Sequence, residues 1–168
     1  MTVDHCENDS AQSLALDEAF MSRALELARA AAQLGEVPVG AVAVRSGQIV
    51  GEGYNRREID ADPFSHAEMR ALAMAAHEAQ AWRLSGVTLY VTLEPCTMCA
   101  GALVLARIDR LVFGAADPKA GAVGSLYNVL ADSRHNHRVD VLGGVLKEPC
   151  ARALTEFFRG LRARNTDK

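Results

Sequence analysis

The chain has 168 residues, 49% of them hydrophobic, enough for one domain with a continuous core and too short to suggest two. A formal net charge of -3 excludes a uniformly basic nucleic-acid binder, so any contact with RNA has to come from a local patch. The 4 cysteines are too unevenly spaced for a disulfide framework, no apolar run approaches membrane-spanning length, and the start, with Asp4, Glu7 and Asp9, lacks the features of a signal peptide; a soluble, cytoplasmic protein is expected.

Residues 1–13 are polar, acidic and aperiodic, and read as a mobile tail before a single domain over 14–164, with 165–168 as a C-terminal tail. From Asp17 to Leu34, Phe20, Ala24, Leu27, Ala28, Ala31 and Leu34 recur at the spacing of one helical face, and Gly35 ends that helix. Val37 to Val44 is an apolar run without polar alternation, which predicts a strand buried on both faces and therefore helices covering the sheet. A turn at Ser46-Gly47 and a second run from Gln48 to Tyr54 complete a hairpin. Asp62-Pro63-Phe64-Ser65 punctuates the chain before an alanine-rich helix from His66 to about Ala81.

Strand and helix then alternate, with a strand at Val87–Leu93, a helix at Thr97–Ala106 and a strand at Arg110–Ala115. Residues 116–126 read as a loop running into a short helix near Leu126–Leu130. Arg138–Leu142 alternates as an edge strand would, and Lys147–Arg164 closes the chain as an amphipathic helix. A hairpin followed by crossover units predicts a three-layer α/β/α sandwich around a five-stranded mixed sheet.

The chemistry centres on Glu94-Pro95-Cys96-Thr97-Met98-Cys99. If Pro95 opens the helix, Cys96 and Cys99 lie one turn apart on one face, at the positive end of a dipole that favours thiolates. Spacing alone leaves a metal pair, a redox dithiol and two inert buried thiols open. His66-Ala67-Glu68 opens the preceding helix in the same way, so the two N-termini could face one point. His66, Cys96 and Cys99 would then supply three ligands to a tetrahedral zinc and leave the fourth position to water, the pattern of a catalytic site. Glu68 would be placed to shuttle protons, but Ser65-His66-Ala67-Glu68 is equally a capping box, with Ser65 as N-cap. His77, His135 and His137 are expected to be structural or solvated.

The pattern H-x-E followed by P-C-x-x-C, matched by His66-Ala67-Glu68 and Pro95-Cys96-Thr97-Met98-Cys99, closely resembles the zinc-dependent nucleobase deaminases. From about Phe20 to Phe158 the resemblance is specific to the tRNA adenosine deaminases, and it is carried by Gly35–Val42, Tyr54-Asn55-Arg56, Gly114–Ala122 and Gly124-Ser125-Leu126. It implies a cytidine deaminase-like fold, one zinc per subunit, and Glu68 as the proton relay of hydrolytic deamination at a wobble adenosine. The same resemblance implies that Asn55 holds the base and that Val39 and Pro38 line its pocket. From sequence alone, Asn55 reads first as a turn residue after a strand, and Val39 and Pro38 are ordinary strand residues.

Asp117-Pro118-Lys119 lies in a loop where a lysine can reach phosphate, so Asp117 and Lys119 are candidate RNA contacts, against the plainer reading of an Asp-Pro turn. Arg152, Arg159, Arg162 and Arg164 on the last helix suit either phosphate or solvent. The implied partners are a tRNA anticodon stem-loop and a second copy of the chain, with Met98–Arg107 at the contact; neither membrane nor DNA is expected. A free-base or nucleoside deaminase of guanine or cytosine type, and a non-catalytic zinc-containing RNA-binding protein, are the alternatives. Arg134-His135 matches no family feature.

Overall fold

A computed structural model describes residues 4–166, with side chains described from 12 to 164. The elements run α1 (Asp4–Gln33), β1 (Gly40–Arg45), β2 (Gln48–Tyr54), α2 (Ala67–Ala79), β3 (Val87–Leu93), α3 (Thr97–Ala106), β4 (Arg110–Ala115), β5 (Asp140–Gly143) and α4 (Lys147–Thr166). One sheet has the order β2-β1-β3-β4-β5. The β1 strand pairs antiparallel with β2 and β3, whereas β3, β4 and β5 are mutually parallel neighbours, so the sheet is mixed.

Period-two alternation sends the two sides of each strand to different cores. Ala41, Ala43, Leu89, Val91 and Leu111 face one core with Ala71, Leu72, Ala100 and Leu103 of α2 and α3. Val42, Val44, Tyr90 and Val112 face the other with Met21, Ala24 and Leu25 of α1 and Cys150 of α4. This is the expected three-layer sandwich, and β1 is buried on both faces as its unbroken apolar run requires. The β5 strand is the expected edge, with mostly exposed residues. Burial pushes the Cys150 thiol pKa up to about 11, so it behaves as a small core residue.

Several boundaries differ from the sequence reading. The α1 helix begins at Asp4, inside the stretch read as a tail, because a helical segment without an apolar stripe leaves no periodicity to detect. Residues 1–3 of that expected tail, and 167–168 of the C-terminal one, lie outside the described residues. No helix forms at 126–130; Gly124 N–H donates to Tyr127 O, and Val123 bridges Asn128. The β5 strand starts at Asp140 instead of Arg138.

A buried polar cluster ties the layers together. Arg110 forks onto Asp17 with N–O distances of 2.7 and 2.8 Å, and the Tyr90 hydroxyl donates to Asp17 Oδ1 at 2.9 Å. Asp17 is buried, whereas Arg110 keeps partial access to water. Burial, followed by the Asp17 contact, pushes the Tyr90 phenol pKa upward. Asp17→Ala strands the buried Tyr90 hydroxyl and leaves the partly exposed Arg110 without its carboxylate, and is expected to cost about 2–3 kcal/mol, measured by urea unfolding; Asp17→Asn is expected to cost less.

The placement of α2 depends on backbone contact. A Cβ on Gly53 would lie 2.7 Å from Arg70 Cβ and 2.8 Å from the Ala71 nitrogen, so only glycine lets β2 approach this closely. That approach fixes where the N-terminus of α2 points.

Candidate active site

Two helix N-termini meet beside the ends of β2 and β3. The N-cap of α2 is His66 and that of α3 is Cys96, both with extended backbone, and neither makes a side-chain cap hydrogen bond. Ordinary caps are Ser, Thr, Asp or Asn, and their absence costs a helix about 1 kcal/mol. Both helices forgo that contribution at the residues whose side chains converge.

The capping box is therefore not formed. Ser65 lies one position ahead of the cap, its hydroxyl donates to Asp60 Oδ2 at 3.1 Å, and Glu68 is at the second helical position. Pro95 likewise precedes the cap and does not open α3. Cys96 and Cys99 still lie one turn apart, at the cap and the third helical position.

The Cys96 Sγ and Cys99 Sγ atoms are 3.8 and 3.5 Å from His66 Nδ1. All three donor atoms lie within 4.8 Å of one another. A tetrahedral centre with sulfur at about 2.3 Å and nitrogen at about 2.0 Å has sulfur–nitrogen edges of roughly 3.5 Å, so this donor set fits one ion. The Cys99 contact holds the Cys96 pKa down to about 3 against its burial, whereas the same contact and burial push Cys99 up. His66 is raised, chiefly by Cys96. A bound cation would take both sulfurs as thiolates and so release their protons.

Glu68 is 4% exposed and lines the same cavity. Burial raises its carboxyl pKa, opposed in part by its backbone contact and by His66. Burial that disfavours the charged form makes this carboxyl a candidate proton carrier in the cavity.

The cavity has a volume of about 200 Å³ and is lined by Val37, Val39, Asn55, Ala67, Leu93 and Asp117 in addition to the cluster. Asn55 N–H donates to Val39 O at 3.0 Å, which fixes the asparagine beside that wall. Its side-chain Nδ2 donates to Glu36 Oε2 at 2.9 Å; a carboxylate only accepts, so Glu36 dictates the amide orientation and leaves the carbonyl and one N–H for a ligand. Glu36 also accepts the Ile59 N–H at 2.8 Å.

The sequence reading brings together His66, Glu68, Cys96, Cys99, Asn55, Val39 and Asp117 in this cavity. Pro38 and Lys119 lie elsewhere. Pro38 turns to a separate crevice with Arg29, Pro149 and Arg152 between α1 and α4, because alternation along the extended backbone gives the pocket Val37 and Val39 instead. Lys119 lines an adjoining groove of about 540 Å³ with Asp117, Phe158 and Arg162, and shares the Val37 and Leu93 wall with the inner pocket. His137 contacts Ile108 O at 2.6 Å, a structural role, and Arg134 pairs with Asp132 in an exposed ion pair.

Two buried carboxylates escaped sequence reasoning, Glu36 and Glu94. Burial works to raise the Glu94 pKa, but hydrogen bonds from Ser125 and from the Asp117 and Val123 amides hold it below the usual carboxylate value. Each stands beside an apolar run and a proline, a weak signal that also fits an ordinary strand end.

The MafB19-like deaminase model matches residues 16–162. A tRNA-specific adenosine deaminase of Bacillus subtilis is 49% identical over 146 residues, 87% of this chain and 91% of that protein. The chain belongs to this deaminase family. A Haemophilus influenzae tRNA-specific adenosine deaminase is 52% identical over 147 residues, covering 87% of this chain and 85% of that protein. Among solved structures, a tRNA:A34 deaminase from work on A-to-I editing at the wobble position has a TM-score of 0.78 and 43% identity, covering 81% of this chain and 99% of that one. A guanine deaminase from Nitrosomonas europaea has a TM-score of 0.73 and 27% identity, with 83% of each chain covered. The deaminase fold is shared with both, and the family places this chain among the hydrolytic deaminases.

Proposed function

We propose that the protein hydrolyses adenosine to inosine at the wobble position of a tRNA anticodon, using one zinc ion per subunit. The observation that carries the chemistry is one small cavity shared by the His66, Cys96 and Cys99 donors, buried Glu68 and Asn55. The choice of adenosine in tRNA is supported by relatives at 49% and 52% identity over most of the chain.

Bound zinc would supply Lewis acidity, bringing the pKa of water to about 7. Glu68 is placed to take a proton from the attacking water and to deliver protons to ring N1 and the departing amine. Water oxygen joins carbon 6, the bond from carbon 6 to the exocyclic nitrogen breaks, and ammonia leaves, so adenosine and water give inosine and ammonia. A cavity of about 200 Å³ is too small for a duplex, so the base has to leave its stack to reach the donors. Asn55 holds a purine edge through the groups that Glu36 leaves available.

The groove holding Lys119 and Arg162 adjoins the base cavity and offers positive charge to flanking phosphates, despite the net charge of -3. Apolar α3 leaves Leu105 74% exposed, which supports a homodimer through Met98–Arg107. Light scattering at assay concentration is expected to give twice the chain mass, and a monomer would overturn that contact.

Incubation with an adenosine-containing anticodon stem-loop, free adenosine, guanine and cytosine tests the substrate. Inosine from the stem-loop is expected; ammonia from guanine alone would favour the free-base reading suggested by the guanine deaminase likeness. Asn55→Asp sets a second carboxylate about 2.9 Å from Glu36. It is expected to lower kcat/KM about a hundredfold by steady-state kinetics, because like charges that close cannot both ionise.

A further inference from the structure

We propose that Glu94 is a positioning residue that locks the 117–125 loop onto the turn carrying Cys96 and thereby sets the outer wall of the base pocket. The inference rests on the deaminase reading above and extends it to how the substrate wall is held. Glu94 ends the β3 run, two residues before Cys96, and is 3% exposed. A buried carboxylate needs partners, and no described lysine or arginine pairs with it.

Its partners all come from one loop. Oε2 accepts the Asp117 N–H at 3.0 Å and the Ser125 hydroxyl; Oε1 accepts the Val123 and Ser125 N–H groups, each at 3.0 Å. Two oxygens therefore satisfy four donors, the full capacity of a carboxylate. Backbone contacts run alongside: Glu94 N–H donates to Ala115 O at 2.8 Å, Ala122 N–H donates to Pro95 O at 2.8 Å, and Cys96 bridges Gly121. The loop and the metal-ligand turn are thus one assembly with Glu94 inside it.

The fit leaves no slack. A Cβ on Gly121 would lie 2.5 Å from Glu94 Oε2 and 2.6 Å from Asp117 O, so glycine is required where the loop passes the carboxylate. Asp117, gripped through its N–H by Glu94, accepts the Lys119 and Ala120 N–H groups at 2.9 and 3.2 Å through Oδ1. Asp117 and Ala120 face Val37, Val39 and Asn55 across the base cavity. Glu94 borders the cavity too, but its acceptor positions are taken by the loop, so it acts on substrate through that wall.

Glutamine keeps the shape of Glu94 but sets a donor against a row of donors, so Glu94→Gln is the informative variant, and Ser125→Ala, which removes one donor and keeps the carboxylate, is the milder one. Hydrogen exchange is expected to speed up at least about tenfold at the Asp117, Val123 and Ser125 amides in Glu94→Gln, and less in Ser125→Ala. KM for the anticodon stem-loop is expected to rise about tenfold with kcat within about threefold, at parental metal content. Unchanged exchange together with unchanged KM would overturn the proposal. So would loss of metal with kcat falling and KM unchanged, since Glu94 would then serve Cys96 and not the loop. If Glu94→Gln fails to fold, the exchange and KM of Ser125→Ala decide. If the parent protein does not deaminate the stem-loop, the substrate reading fails, while amide exchange still tests the anchor by itself.

Discussion

Glu68→Gln is expected to lower turnover on an anticodon stem-loop by about two to four decades while leaving the melting temperature and metal content at parental values. The geometry separates this effect from a loss of structure. Glu68 sits at the second position of α2 and lines the reaction cavity, and no side-chain cap hydrogen bond starts the helix, so its carboxylate is not needed to begin α2. Glutamine preserves volume and can accept a hydrogen bond, but cannot carry a proton between water and a leaving amine. Single-turnover kinetics check the prediction, because a chemical step slowed a hundredfold appears there whatever limits product release. Full activity in this variant would remove Glu68 from the mechanism and return the cluster to a structural role.

The parts legible in the sequence were those where one local rule dominates. The β2, β3 and β4 strands and α3 begin and end where apolar runs and their flanking turns place them. His66, Cys96 and Cys99 were legible as a set because metal chemistry restricts residue type and spacing together. Failures came where a residue serves a distant partner. Val37 and Pro38 are strand-like in composition, yet β1 starts at Gly40 because those residues wall two different cavities. Leu126 to Leu130 has helical composition, but the amides before it are committed to Glu94 and to turns. Both N-caps violate local preference at the residues that gather the donors, which is where disagreement between propensity and structure is expected. Glu36 and Glu94 look like strand-end surface residues until the chain folds over them.

Removing a donor from the cluster is expected to abolish both bound metal and activity. Cys99→Ala leaves His66 and Cys96, two ligands on two helix caps, too few to hold an ion firmly in an open site. Loss of even an outer-shell partner can cost a site about 10–100-fold in metal affinity, so deletion of a direct donor is expected to exceed about a hundredfold. Elemental analysis is expected to find about one zinc per parental chain and almost none in the variant. Chelation of the parent is expected to silence it, with zinc restoring turnover. The same experiment separates the readings that spacing alone leaves open. A redox dithiol would keep its function without metal, through the partly exposed Cys96 with Cys99 buried behind it. A structural zinc would be lost with the fold, so a Cys99→Ala protein that stays folded, metal-free and inactive points to an ion that serves the reaction. Thiol alkylation that spares activity in the presence of zinc, but after chelation prevents added zinc from restoring turnover, would show the two cysteines occupied by the ion during turnover, since the thiolate bound to metal is the form withheld from the reagent.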